Sequence, residues 1–222
     1  MKEIILDTET TGLSVKDGHR IVEIGCIELD NLVPTKNIFH CYLNPERKVS
    51  EKAFEVHGYS DQFLSNKKKF FEIADDFLNF IKDKKIIIHN AEFDISHLNN
   101  ELSIAGKPEI NKEHTVDTLD LARNKFPGSG ISLDALCKRF RIDNSKREKH
   151  TALIDCELLA KVYINLLDQK EPKLNFSNSV DINSIETQNK SITYSKKIVY
   201  PTSEELEQHR EFLKRDLKKN FY

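Results

Sequence analysis

The order of apolar and polar positions divides the chain into short runs and periodic stretches. Residues 3–6, Glu-Ile-Ile-Leu, form a short apolar run that predicts a buried strand. Residues 20–29 and 37–43 predict two more strands, the first with Ile21, Glu23, Gly25 and Ile27 on one face and Val22, Ile24 and Cys26 on the other. Polar turn material near Asn31 and Pro34 separates the two, which predicts an antiparallel meander. Phe70, Ile73, Phe77, Phe80 and Ile81 recur at helical spacing and predict a helix over 70–81. Ile86-Ile87-Ile88 is a run of β-branched residues that predicts a central strand, and helical patterns follow at 93–105, 118–124, 132–139 and 152–167. Three strands followed by alternating helix and strand predict an α/β fold, a mixed sheet with helices on its faces.

After Leu167 the pattern changes. Residues 169–200 are rich in Lys, Asn, Ser, Thr and Gln and poor in large aliphatics, the composition of a flexible polar linker. Pro201 then precedes Thr202 and Glu205, a T-x-x-E capping box, and Leu206, Leu213, Leu217 and Phe221 form one apolar stripe. A lone short amphipathic helix is marginal in water, so this one needs a partner surface. The expected organisation is a body over 1–168, a linker over 169–200 and a terminal helix within 201–222.

Composition narrows the function classes. The chain has 222 residues, of which 38% are hydrophobic and 32% charged, so part of it is expected to stay outside a core. Lys and Arg number 34 against 36 Asp and Glu. That near-neutral balance excludes a binder of nucleic acid working by bulk charge, but leaves room for a local basic track. No apolar run approaches the length of a membrane span, and the early carboxylates exclude a secretory signal, so a cytoplasmic location is expected. Cys26, Cys41, Cys137 and Cys156 form no C-x-x-C pair and read as buried thiols in a reducing compartment.

The chemistry lies in carboxylates where strands end and helices begin. Asp7 and Glu9 flank Thr8 at the end of the first strand, and a spacing of two puts both on one side. Two such charges repel unless a cation lies between them, and hard oxygen ligands suit Mg²⁺ or Mn²⁺. Alone, the pair is also what a solvated strand end looks like. Asp94 follows the central strand in His89-Asn90-Ala91-Glu92-Phe93-Asp94 and alternatively serves only the helix dipole. Glu92 competes with it, but Phe93 beside Asp94 points Asp94 toward the packed interior. Asp155 lies within the apolar pattern of the last body helix, where a carboxylate needs a partner. His150 precedes that helix, placed either to take a proton from water or as an ordinary surface histidine. D-x-E, N-x-x-F-D and H-x-x-x-x-D in this order supply four carboxylates and a histidine, enough to hold two divalent ions and position a water. His19, His40 and His114 belong to no such constellation.

These stretches resemble the three exonuclease motifs of the DEDD superfamily, histidine subtype. Val22-Glu23-Ile24-Gly25, Val56-His57-Gly58, Val116-Asp117-Thr118-Leu119, Ser132–Cys137 and Ile142–Arg147 narrow the resemblance to the epsilon-subunit family of bacterial DNA polymerase III, the proofreading exonucleases, over about residues 1–168. The resemblance implies a ribonuclease H-like fold and two Mg²⁺ or Mn²⁺ ions held by Asp7, Glu9, Asp94 and Asp155, with His150 as the catalytic base. It implies that the 3′ end of DNA meets Asp7, Glu9, Lys52, His57, Asn90 and Asp155. It further implies that 201–222 hold the polymerase (alpha) subunit. Residues 171–176 match loosely a sliding-clamp peptide, or are plain linker, and a small third core subunit is a further partner of such proteins. Thr151, Ser96-His97 and Tyr59 depart from the family's usual Gly, Gly-Phe and Ile, and Lys52 stands where some members carry an acid. Lys138, Arg139, Arg141, Lys146, Arg147 and Lys149 form a candidate phosphate track leading to His150. The competing readings are a stand-alone RNA-trimming exonuclease and a non-catalytic scaffold of the polymerase core.

Overall fold

The computed structural model describes residues 2–145, 147, 149–168 and 200–216. The linker at 169–199, the clamp-peptide candidate at 171–176, Lys146, Leu217 and Phe221 lie outside the described residues. The chain divides into two units, Met1–Leu174 and Asn175–Tyr222.

The first unit is built on five strands in the order β3-β2-β1-β4-β5. Strand β1 (Lys2–Thr10) pairs antiparallel with β2 (Ile21–Asp30), which pairs antiparallel with β3 (Val33–Tyr42). On its other side β1 runs parallel to β4 (Lys85–Ile88), and β4 runs parallel to β5 (Thr115–Asp117). Among its described residues this unit has seven α-helices: α1 (Glu51–His57), α2 (Asp61–Leu64), α3 (Phe70–Ile81), α4 (Ala91–Ile104), α5 (Thr118–Lys125), α6 (Leu133–Phe140) and α7 (Ala152–Leu166). The mixed sheet with helices on both faces agrees with the α/β expectation.

Both faces of the sheet are covered, which is why β1 is apolar at consecutive positions. Ile4 and Leu6 join Ile24, Cys26, Ile88 and Phe77 in one core cluster beneath α3 and α4. Ile5 points the other way and joins Ile27, Ile87, Leu136, Leu159 and Val162 beneath α6 and α7. Full burial of one such side chain contributes about 1.5–3 kcal/mol. Cys26, Cys137 and Cys156 are buried free thiols, as expected, whereas Cys41 on the edge strand β3 is only half-buried.

Several elements differ from the sequence reading, each for a tertiary reason. β1 continues through Thr10, so Asp7 and Glu9 lie inside the strand; pairing of Asp7 with Gly25 and Glu9 with Glu23 carries it onward. β3 begins at Val33 and contains Pro34, tolerated because β3 is an edge strand, and the turn is Asn31-Leu32 with both φ positive. Ile21 packs with Ile24 and Cys26 instead of Ile27, because the β1–β2 register shifts between Glu9 and Thr10. Helices α1 and α2 and strand β5 have no counterpart in the sequence pattern. α1 shows no apolar stripe, since Phe54 and Val56 are exposed, and its start is set by Ser50, whose hydroxyl accepts from Ala53 N.

Of the second unit, residues 200–216 are described and hold α8 (Ser203–Asp216). The capping box is formed in both directions: Glu205 N donates to Thr202 Oγ1 at 3.3 Å and Thr202 N donates to Glu205 Oε2 at 2.8 Å. Leu206 and Phe212 on this helix are exposed.

One contact decides where α7 sits. A Cβ on Gly25 would lie 2.7 Å from the Ala152 carbonyl carbon and 2.8 Å from Leu153 N. Cys156 Sγ, one turn later, rests 3.2 Å from Gly25 O. Small residues thus let the helix lie directly on β1 and β2. We predict that Gly25→Ala lowers the unfolding free energy by about 1–3 kcal/mol, the cost of overpacking a filled interior. Urea denaturation measures it, and an unchanged midpoint would contradict this account of the α7 contact.

Candidate active site

β1 and β4 are parallel, and the candidate residues gather at their carboxyl ends, where ligands bind in open α/β sheets. Three elements converge there. β1 carries Asp7 and Glu9. The turn after β4 leads into α4 with Asp94 in its first turn. α7 carries Asp155 in its first turn, with His150 two residues before the helix begins.

Each element is held by side chains with no obvious chemistry of their own. Thr8 fixes Asp94: its backbone N and Oγ1 donate to Asp94 Oδ1 at 3.0 and 2.7 Å. The far end of α4 is clamped to β2 by Arg20, whose Nε and Nη2 each lie 2.6 Å from the buried Glu101 carboxylate. Asp117 shapes the turn after β4, accepting from the backbone N of Asn90 and Ala91 at 3.0 Å each and capping α5 through Leu119 N at 2.8 Å. Asn90 takes a left-handed conformation with φ 70° in that turn. Glu23 on β2, fully buried, accepts from Ala152 N at 2.9 Å and so pins the first turn of α7 to the sheet. The same carboxylate meets His40 Nε2 at 2.7 Å and accepts from Tyr59 Oη at 2.8 Å. Thr151 caps α7, its hydroxyl accepting from Ile154 N, so a glycine is not needed there.

Glu9, His150 and Asp155 present ligand atoms all within 4.8 Å of one another. Asp94 is buried, whereas Glu92 is exposed and paired with Lys112, which decides between the two. The electrostatics follow from crowding. Burial first, then the charges of Asp94, Glu9 and Asp155, push the Asp7 carboxyl well above the usual range. Burial, with Asp155, Glu23 and Asp94 nearby, pushes Glu9 up to about 8. Burial also raises Asp94 to about 7, against the hydrogen bonds from Thr8. Asp155 behaves oppositely: burial works to raise it, but His150 and Arg147 outweigh that and hold it below its ordinary value. Arg147 Nε and Nη2 lie 2.5 and 2.7 Å from its two oxygens. The partner that the buried Asp155 requires is therefore, in part, an arginine that the sequence placed on a surface track. Hard oxygen donors that raise one another's pKa, with a cation already drawn among them, fit a divalent metal site.

Two depressions flank the cluster. A cavity of about 610 Å³ is lined by Glu9, Leu13, His19, Lys52, Val56 and His57 among others. It brings Lys52 and His57 beside Glu9. His57 is buried and both ring nitrogens are engaged, Nδ1 by Tyr59 N at 3.0 Å and Nε2 with Thr10 O at 3.2 Å. Asn90 lies apart from this cavity, in a second depression of about 410 Å³ with His89, Ser132, Arg147 and His150. His150 therefore borders the second depression while Glu9 borders the first.

Of the remaining cations in the expected track, Lys149 Nζ donates to Glu55 O at 2.6 Å, and Arg139 lies over the Phe126 ring at 4.4 Å. His19 and His40, given no role from sequence, turn out to be a cavity wall and a Glu23 partner. Neither had a neighbour in sequence that signalled it; Glu23 did, through the V-E-I-G stretch, where a charge sits among residues of a buried strand.

Comparison with known proteins agrees with this geometry. Residues 4–163 match the family described as Exonuclease. The chain is 50% identical over 224 residues to the DNA polymerase III subunit epsilon of Rickettsia conorii, covering 98% of this chain and 97% of that protein. It is 47% identical over 171 residues to the Escherichia coli subunit of the same name, covering 73% of this chain and 70% of that protein. Among solved structures, exonuclease X in complex with 5′ overhanging duplex DNA superposes with a TM-score of 0.59 at 26% identity, covering 75% of this chain and 92% of the other. By fold, by motif order and by near full-length identity, the chain belongs to the exonuclease family and, within it, to the DNA polymerase III epsilon subunits.

Proposed function

We propose that this chain removes nucleotides one at a time from the 3′ end of DNA at the polymerase III core, with Asp7, Glu9, Asp94 and Asp155 as ligands of two Mg²⁺ or Mn²⁺ ions. Dependence on a divalent metal follows from membership of the family. The observation that carries the residue assignment is the meeting of Glu9, Asp155 and His150 within 4.8 Å beside a cavity of nucleotide size. An intact set of this kind favours an enzyme over a scaffold. When bound, divalent cations neutralise the carboxylates and polarise the scissile phosphate.

The protein's own groups have separable tasks. The terminal nucleotide fits the cavity between Glu9 and α1, with His57 and Lys52 on its wall. His150 Nδ1 lies 3.4 Å from Asp155 Oδ2; with its hydrogen on Nδ1 and directed to that carboxylate, Nε2 is left to take the proton of the attacking water. Glu23 and Thr8 keep Asp155 and Asp94 in register. Mispaired ends need not be recognised by their bases, because a frayed end costs less to unstack and enters a single-strand site more easily.

The terminal unit supports attachment to the polymerase subunit: α8 is capped at its start, Leu206 is exposed, and Leu213, half-buried, follows seven residues later on the same helical face, a stripe suited to a partner. Attachment to the clamp through 171–176, and a small third subunit on the body, are proposed on the family resemblance alone.

Two experiments test this reading. End-labelled oligonucleotides with paired and mispaired DNA 3′ ends, and a matched RNA, are digested with Mg²⁺ or Mn²⁺. Stepwise loss from the DNA 3′ end, faster when mispaired and absent in Asp7→Ala, is expected. His150→Ala should fall by roughly 10²–10⁴-fold while still binding metal. Preference for RNA, or a near-normal His150→Ala, would overturn the corresponding assignment. In the second, removal of residues 201–222 should abolish co-purification with the polymerase subunit and leave the nuclease rate on free single strands unchanged. Retained co-purification would move the contact elsewhere.

A further inference from the structure

Arg147 occupies an unusual place for a residue of a surface-like sequence, Asn144-Ser145-Lys146-Arg147. Its side chain is 8% exposed and that of Asp155 4%. Besides gripping both Asp155 oxygens at 2.5 and 2.7 Å, it reaches Asp134 Oδ1 through Nη1 at 2.7 Å and donates from Nη2 to His150 Nδ1 at 2.8 Å. A fork of this kind occupies one lone pair on each carboxylate oxygen and so competes with a metal ion for part of the same carboxylate. Two cations on one carboxylate at such distances repel each other.

We infer that Arg147 is a resident counter-cation that competes with divalent metal for Asp155 and yields the carboxylate by withdrawing onto Asp134. The inference rests on the reading of Asp155 as a metal ligand. Three observations support an exchange over a fixed clamp. Asp134, the second partner, has a side chain 57% exposed at the start of α6, so Arg147 has a solvated carboxylate to retain. Asp134 is itself held by Asn144 Nδ2 at 3.1 Å, so it stays in place. The histidine does not depend on Arg147 for its position: His150 N donates to Val56 O at 3.2 Å and Lys149 Nζ to Glu55 O, which ties this loop to the end of α1.

The exchange has a consequence for His150. While Nη2 donates to Nδ1, that nitrogen is an acceptor and the neutral ring carries its hydrogen on Nε2, the atom expected to take a proton from water. Withdrawal of Arg147 lifts that restraint. Loading of metal and readiness of the base become one event, and in an unloaded site the base is held inactive and Asp155 alone is neutralised.

A fixed clamp and a competitor predict opposite signs. We would titrate Mn²⁺ into the full chain by calorimetry, comparing wild type, Arg147→Gln, Arg147→Lys and Asp7→Ala. The competitor predicts Mn²⁺ binding roughly threefold to tenfold tighter in Arg147→Gln. Arg147→Lys should fall between, since lysine keeps the charge without the fork. Arg147→Gln should also melt lower than wild type in chelator and gain more from Mn²⁺. Unchanged or weaker Mn²⁺ affinity in the Arg147 variants overturns the inference. If wild type binds Mn²⁺ and Asp7→Ala does not, the metal-site reading survives that result; a wild type that binds no Mn²⁺ overturns both. Should Arg147→Gln fail to fold, Arg147→Lys carries the comparison, with tighter binding than wild type supporting the inference and equal or weaker binding overturning it.

Discussion

Four carboxylates gathered at the end of a buried strand repel one another, and much of the structure exists to hold them there. Asp7 and Glu9 are built into β1, so their separation is fixed by the strand. Asp155 reaches them only because Gly25, Ala152 and Cys156 let α7 touch the sheet, and because Glu23 accepts from the first turn of that helix. Asp94 is drawn in by Thr8, the residue between the two β1 carboxylates. The result is a site whose charge is unbalanced until a cation arrives. The raised carboxyls of Asp7, Glu9 and Asp94 and the arginine drawn onto Asp155 express the same imbalance in two ways.

Such a site stores unfavourable energy within the fold, and the apolar layers on both sheet faces offset it. The clusters under α3/α4 and under α6/α7 meet at β1 and β4, so the strand carrying the charges is enclosed on both faces. Folding and function therefore draw on the same residues: Ile4, Ile5 and Leu6 place Asp7 as much as they stabilise the sheet.

The sequence made part of this legible. The helix at 70–81 was readable because Phe70, Ile73, Phe77 and Ile81 all bury on one face. The three motifs were readable because carboxylates set against apolar runs are costly to bury without a cation, and Phe93 told Asp94 from Glu92. What was hidden shares one cause: direction in space has no signature in a charge run. Arg147 stands among five other cations and only the fold turns it inward. The charge of Glu23 inside a buried strand is visible in the sequence, but not that His40 of β3, Tyr59 and α7 close around it. α1 was missed because its apolar residues stay exposed beside the cavity. His57 and Asn90 sit in the same motif set but on different depressions, a separation that spacing along the chain does not encode.

The central claim is that the site's carboxyls are partly protonated without metal and must ionise to bind it. Calorimetry of Mn²⁺ binding at pH 7 in two buffers of different ionisation enthalpy counts the protons released. With Glu9 at about 8, Asp94 at about 7 and Asp7 raised, at least about one proton should leave per protein as metal binds. Binding with no proton released would show that these carboxylates are already ionised, and would contradict the account.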